Sequence, residues 1–120
     1  MNMLATIAIW IVAALHAGFL VLESFLWRTP TGRRIFGLTP EFAEQSASLA
    51  ANQGLYNGFL AAGLVWAATT SSGAAYSLKL FFLGCVIIAG VVGAITAKRS
   101  ILYVQAMPAA IALALVIVTR

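Results

Sequence analysis

The sequence predicts an all-α protein, a four-transmembrane-helix bundle with an interfacial helical extension before the second span, and three observations carry that expectation. Of the 120 residues 62% are hydrophobic and 8% charged, with a mean hydropathy of +1.01, far from the balance of a soluble globular domain. The apolar residues gather in four stretches, each close to the roughly 20 residues of helix that cross a hydrocarbon core of about 30 Å. Short polar or basic connections separate them, and so little chain is left over that residues 1–120 read as a single integral membrane domain.

The first span, at about 3–27, is too long for a signal-peptide core and lacks a basic leader and a convincing cleavage site. Trp27 stands beside Arg28 at its boundary, where an indole can keep its ring in the interface and its N–H wet. Residues 28–38 (RTPTGRRIFGL) hold three arginines, Pro30 and two glycines, and are expected to form a loop. Thr39-Pro40-Glu41 then reads as an N-cap, a proline in the first helical position and an acid in the first turn. A helix from there to about Thr69 would be roughly 45 Å long, more than the hydrocarbon core. Residues 40–48 are therefore assigned to the headgroup layer and the second span to about 49–69, with tilt or a kink near Gly54 and Gly58. A polar turn at 69–73 makes the second and third helices antiparallel neighbours. The third span, about 76–97, carries Gly84, Gly90 and Gly93, which let helix backbones approach. Lys98-Arg99-Ser100 ends it, and the fourth span runs over about 101–119.

The net charge of +4 comes from seven basic and three acidic residues. A nucleic-acid binder would gather such charges with aromatics on one soluble face; here they sit at the ends of apolar runs, so membrane lipid and not nucleic acid is the expected partner. The first and third connections hold Arg28, Arg33, Arg34, Lys98 and Arg99, against Lys79, Arg120 and the free amino terminus opposite. The positive-inside rule then places both termini on the non-cytoplasmic side of the inner (plasma) membrane. Lys79, near the end of its helix, can snorkel in either orientation. The lone Cys85 allows no intramolecular disulfide and reads as a small buried hydrophobe.

Within the spans the costly residues are His16, Glu23, Asn52, Gln53, Tyr56, Asn57, Thr96 and Gln105. A charged carboxylate or imidazole in a spanning helix costs about 2.5 kcal/mol or more, so it faces protein or water and has a partner. His16 and Glu23 are seven residues apart and share a helix face at different depths, about 10 Å along the axis. Counted from the membrane edge, Glu23, the amide cluster and Gln105 lie at similar depth. Asn52 with Tyr56 and Gln53 with Asn57 form two adjacent stripes four residues apart. Gly54 and Gly58 repeat at the same spacing on the neighbouring side, so one side would line a pocket and the other press against a helix. Pro108, three residues after Gln105, removes a backbone donor and loosens the fourth helix.

Plainer readings stand beside these. The amides could be interhelical glue, Glu23 could pair with Arg28 or another loop arginine, and His16 could be a neutral structural imidazole. Glu41 and Glu44 are expected to be solvated or paired with Arg33 and Arg34. One histidine, one cysteine and one intramembrane acid give no zinc spacing, no phosphate-binding loop and no nucleophile elbow, so no metal site and no cofactor is assigned.

The run from Glu23 through Trp27 and Gly32-Arg33 to Phe36-Gly37-Leu38-Thr39, then NQGLYNGFLAAGL from Asn52 to Leu64, and Val104-Gln105 with Pro108-Ala109, resembles a family of small bacterial membrane proteins. That family is the domain of unknown function 1304 (DUF1304) group. The likeness covers nearly the whole chain, and Asn-Gln-Gly-x-Tyr-Asn-Gly is its most specific part. His16, Glu23, Asn52, Gln53, Tyr56, Asn57 and Gln105 all fall on its pattern. It implies a four-helix membrane architecture and no reaction.

The expectation is a polar pocket that binds or transforms a small amphiphilic molecule. Glu23 would be the acid/base or cation-pairing group, with His16 a deeper proton partner and Tyr56 a hydroxyl donor as further catalytic candidates. Asn52, Gln53, Asn57 and Gln105 would orient a polar head. The alternatives are a proton-coupled exporter acting as a homodimer and a structural membrane subunit.

Overall fold

The computed structural model describes residues 2–120, and among them every regular element is helical. In order these are α1 (Met3–Ser24), α2 (Pro30–Phe36), α3 (Pro40–Thr69), α4 (Ala75–Thr96), a π-helical turn (Leu102–Ala106) and α5 (Met107–Val118). They form two compact units, one of Met1–Leu15 with Leu60–Arg120 and one of His16–Phe59. Helices α1 and α3 contribute a part to each.

The first unit has an apolar core of Ala5, Ile9, Val12 and Ala13 from α1, Leu64 from α3, Leu83 and Val86 from α4, and Ala109, Ala112 and Val116 from α5. Their spacing of three and four residues puts each set on one helix face. Small residues bring the backbones close: a Cβ on Gly90 would lie 2.6 Å from the Ala106 nitrogen, and one on Gly63 would strike the Phe82 ring. Lys79 is buried here, 5% exposed. The π turn precedes Pro108. A proline there leaves the Val104 carbonyl without an α-helical donor, and the five-residue register, closed where Met107 N–H donates to the Leu102 carbonyl, offers that of Ala109 instead.

Two helices, α1 and α4, are long and apolar enough to cross a membrane, and α5 with its π turn forms a shorter apolar helix. Only 28% of the most apolar window of α1 and 22% of that of α4 is buried. The core helix of a soluble protein would be mostly covered. Here Ile7, Ile11, Ile88, Val92 and Ile95 stand exposed.

The second unit corrects the sequence reading of residues 28–38. They are not a loop: residues 30–36 form helix α2, because its ends are capped from within the segment. The Thr29 hydroxyl accepts from the Gly32 N–H at 3.2 Å and donates to the Leu26 carbonyl at 2.6 Å. Pro30 fills the first turn, where no donor is missed. Gly37 ends the helix at φ +66, and the Leu38 N–H returns to the Arg33 carbonyl at 2.8 Å, which is the αL termination that glycine favours. The expected cap of α3 is present, with the Thr39 hydroxyl accepting from the Phe42 N–H at 3.1 Å. Helix α3 continues unbroken through Gly54 and Gly58 to Thr69.

Two further details of this unit differ from expectation. The Trp27 N–H is not left to water; it donates to the Ser46 hydroxyl at 2.9 Å while the ring packs on Phe36, centroids 4.8 Å apart. Glu44 is largely in solvent, as one of its two readings has it, but the arginine it pairs with is Arg28, at 3.1 Å, and not Arg33 or Arg34.

Candidate functional site

Close packing of α1 on α3 within the second unit positions the site. A Cβ on Gly54 would lie 2.3 Å from Ser24 Oγ and 3.0 Å from its backbone nitrogen, and one on Gly58 would lie 3.1 Å from Leu20. The Ser24 hydroxyl crosses to donate to the Ala51 carbonyl at 3.0 Å. With the backbones this near, side chains beside the glycines reach across.

Glu23 is the group they reach. The residue is 8% exposed, and its carboxylate accepts one amide at each oxygen, Asn57 Nδ2 at Oε1 and Gln53 Nε2 at Oε2, the latter at 3.3 Å. Asn57 is itself buried. Among the described residues no lysine, arginine or histidine forms an ion pair with Glu23. Arg28, a partner for Glu23 on the plainer reading, is turned to Glu44. The site is therefore an acid held by dipoles instead of a cation, and its two oxygens offer about four acceptor positions of which the amides use two.

A half-open groove of about 270 Å³ adjoins it, lined by Glu23, Ser24, Phe25, Trp27, Arg28, Ala47, Ser48 and Ala51. Of the expected site residues only Glu23 lies in its wall; Arg28 was considered only as a partner for Glu23, and the two serines escaped the sequence reading. The signal was present in the α3 spacing, since Ala47 and Ala51 stand seven and three residues before Gly54 on the face that meets α1.

The other candidates divide. His16 is fully buried in α1, two turns before Glu23, with its ring edge-on to Phe19 at 5.2 Å. Asn52 and Tyr56 are exposed and bond each other at 3.4 Å, sharing no hydrogen bond with Glu23. The helical arc explains this. At about 100° per residue, Asn57 falls roughly 80° from the middle of the Gly54 and Gly58 face, and Gln53, roughly 40° further round on the same side, reaches Glu23 from an exposed position, whereas Asn52 falls roughly 140° round on the other side and Tyr56 roughly opposite. Gln105 is half-buried in the π turn of the first unit. No three His, Cys, Asp or Glu side chains among the described residues are grouped as a metal site would require.

Comparison with known proteins adds lineage. The chain is 31% identical over 111 residues to the protein named Uncharacterized protein YpaA of Lactococcus lactis subsp. lactis (strain IL1403), an alignment spanning 90% of this chain and 92% of that one. No solved structure matches it. The sequence model described as Protein of unknown function (DUF1304) matches residues 10–117, and the chain belongs to that family.

Proposed function

We propose that this chain is a four-span integral membrane protein, both termini non-cytoplasmic, that holds a small amphiphilic molecule at Glu23 and binds or transforms it there. The apolar sides left exposed on α1 and α4 support the membrane assignment, since lipid is the solvent that tolerates them. Helix α3 is less apolar because Asn52, Gln53 and Asn57 interrupt it, yet its 30 residues give a length of about 45 Å, ample for a span with a headgroup-layer extension. One observation carries the ligand reading: a buried carboxylate without a cation stands in the wall of a polar groove. Acids in spans are expensive to keep, and a ligand that donates to the open acceptor positions offsets that expense.

The test is retention of co-purifying molecules. Full-length protein extracted in mild detergent is compared with Asn57→Ala and Glu23→Gln by native mass spectrometry. A bound species present in the wild type and depleted in both variants is expected. Identical occupancy in all three would sink the assignment.

A second reading is favoured by a separate observation. Among the described residues no buried side-chain nitrogen or oxygen lacks a partner, so Glu23, Gln53 and Asn57 would also serve as a fastener between α1 and α3. On that reading the variants lose stability but no ligand.

A further inference from the structure

We infer that the groove beside Glu23 takes a zwitterionic headgroup, a primary ammonium against the carboxylate and a phosphate against Arg28, carried by a phospholipid of the ethanolamine type. This rests on the ligand-binding reading above and specifies its chemistry.

The groove wall contains one acid and one base that are not paired with each other. Glu23 receives two neutral amide donors and keeps acceptor capacity, which a primary ammonium, with three N–H groups and a positive charge, fills better than any neutral donor. Arg28 is held by Glu44, but both side chains are largely in solvent, 61% and 69% exposed. Such a pair is weak. A phosphate presents a bidentate acceptor to the same guanidinium and displaces Glu44. Ser24 and Ser48 also line the wall, and Phe25, 72% exposed, offers apolar surface to an acyl chain.

Competing headgroups fit less well. A choline head keeps the charge but has no N–H to give Glu23. A glycerol head lacks the cation, and with it the charge complement of the acid.

The experiment uses delipidated full-length protein in detergent, offered short-chain phosphatidylethanolamine, phosphatidylcholine and phosphatidylglycerol at equal concentration, with binding read by native mass spectrometry. Ethanolamine lipid is expected to be retained about tenfold over the other two, the size of one charge-assisted hydrogen bond. Glu23→Gln should reduce it to the choline level, and Arg28→Gln should lower both. The wild-type headgroup ranking needs no variant, so misfolding of a mutant cannot obscure it. Equal retention of all three lipids overturns the inference, while the broader ligand site still stands if an amphiphile is lost in Asn57→Ala. Displacement of the bound lipid by soluble phosphoethanolamine at comparable concentration overturns the lipid as source and assigns the site to a free phosphoester.

Discussion

Asn57 and Gln53 hold Glu23 by two hydrogen bonds from neutral amides, and the two partners contribute unequally. Asn57 is buried beside the carboxylate, whereas Gln53 reaches it from an exposed position. Removing the buried donor strands an acceptor, at a cost of about 1–3 kcal/mol. Asn57→Ala is therefore expected to lower the thermal stability of the purified protein clearly, and Gln53→Ala by less than half as much, since water can replace an exposed amide. Equal losses would show that burial does not separate the two. Glu23→Gln keeps one acceptor oxygen and needs only a flipped amide opposite the new nitrogen, so its stability loss should be smaller than that of Asn57→Ala. At this scale the sequence was half legible. The cost of an acid in an apolar run marked Glu23, and the four-residue spacing marked Gln53 with Asn57; but Asn52 and Tyr56 share that spacing. Only the adjoining Gly54 and Gly58 select the edge of the arc that meets α1.

Helix α2 shows why elements were read less well in the connection than in the spans. Pro30 and Gly37 are breakers in a helix interior but sit at the two ends of this one, and Gly32, inside it, answers to a contact the helix pattern does not reveal, since it lies against the Leu26 backbone. A Cβ there would sit 1.9 Å from the Leu26 carbonyl oxygen, and its nearest neighbours are all backbone atoms of Leu26 and Trp27, with no flexible side chain to yield. Gly32→Ala is expected to destabilise by about 1–3 kcal/mol, the usual range for overpacking, or more if the turn must shift. Gly84 is the control, with no atom within 4 Å of its added Cβ. Gly84→Ala in the middle of α4 should be neutral or stabilising by up to about 1 kcal/mol, because alanine is the better helix former. Denaturation in matched detergent checks both, and a Gly32→Ala protein as stable as Gly84→Ala would contradict the close packing of the α2 corner. The helix from Pro40 to Thr69, by contrast, was legible at both ends, since its cap and its polar terminus are local chemistry.

For the whole molecule the decisive question is how many times the chain crosses the bilayer. Exposed apolar faces argue directly for α1 and α4, but α3 carries amides in its middle and α5 is short, so hydropathy alone separates the four helices into stronger and weaker cases. The polar cluster resolves part of that tension. Gln53 and Asn57 spend their hydrogen-bonding capacity on Glu23 inside the second unit, which lowers the cost of placing this part of α3 in lipid. The basic connections supply the direction: Arg28, Arg33 and Arg34 precede α3, and Lys98 and Arg99 follow α4, while residues 70–74 between α3 and α4 carry no charge. On the proposed four-span reading, the positive-inside rule expects the first and third connections in the cytoplasm and the second outside. Cysteine labelling of intact cells tests it, in a Cys85→Ser background with single cysteines at Ser72, Ser100 and Thr119, all in or next to polar ends of helices. A membrane-impermeant maleimide is expected to label positions 72 and 119 without lysis and position 100 only after the membrane is opened. Labelling of 72 and 100 from the same side would mean that α4 does not cross, and labelling of 119 only after lysis would leave α5 on the cytoplasmic surface; either result reduces the span count and removes the lipid setting on which the Glu23 site depends.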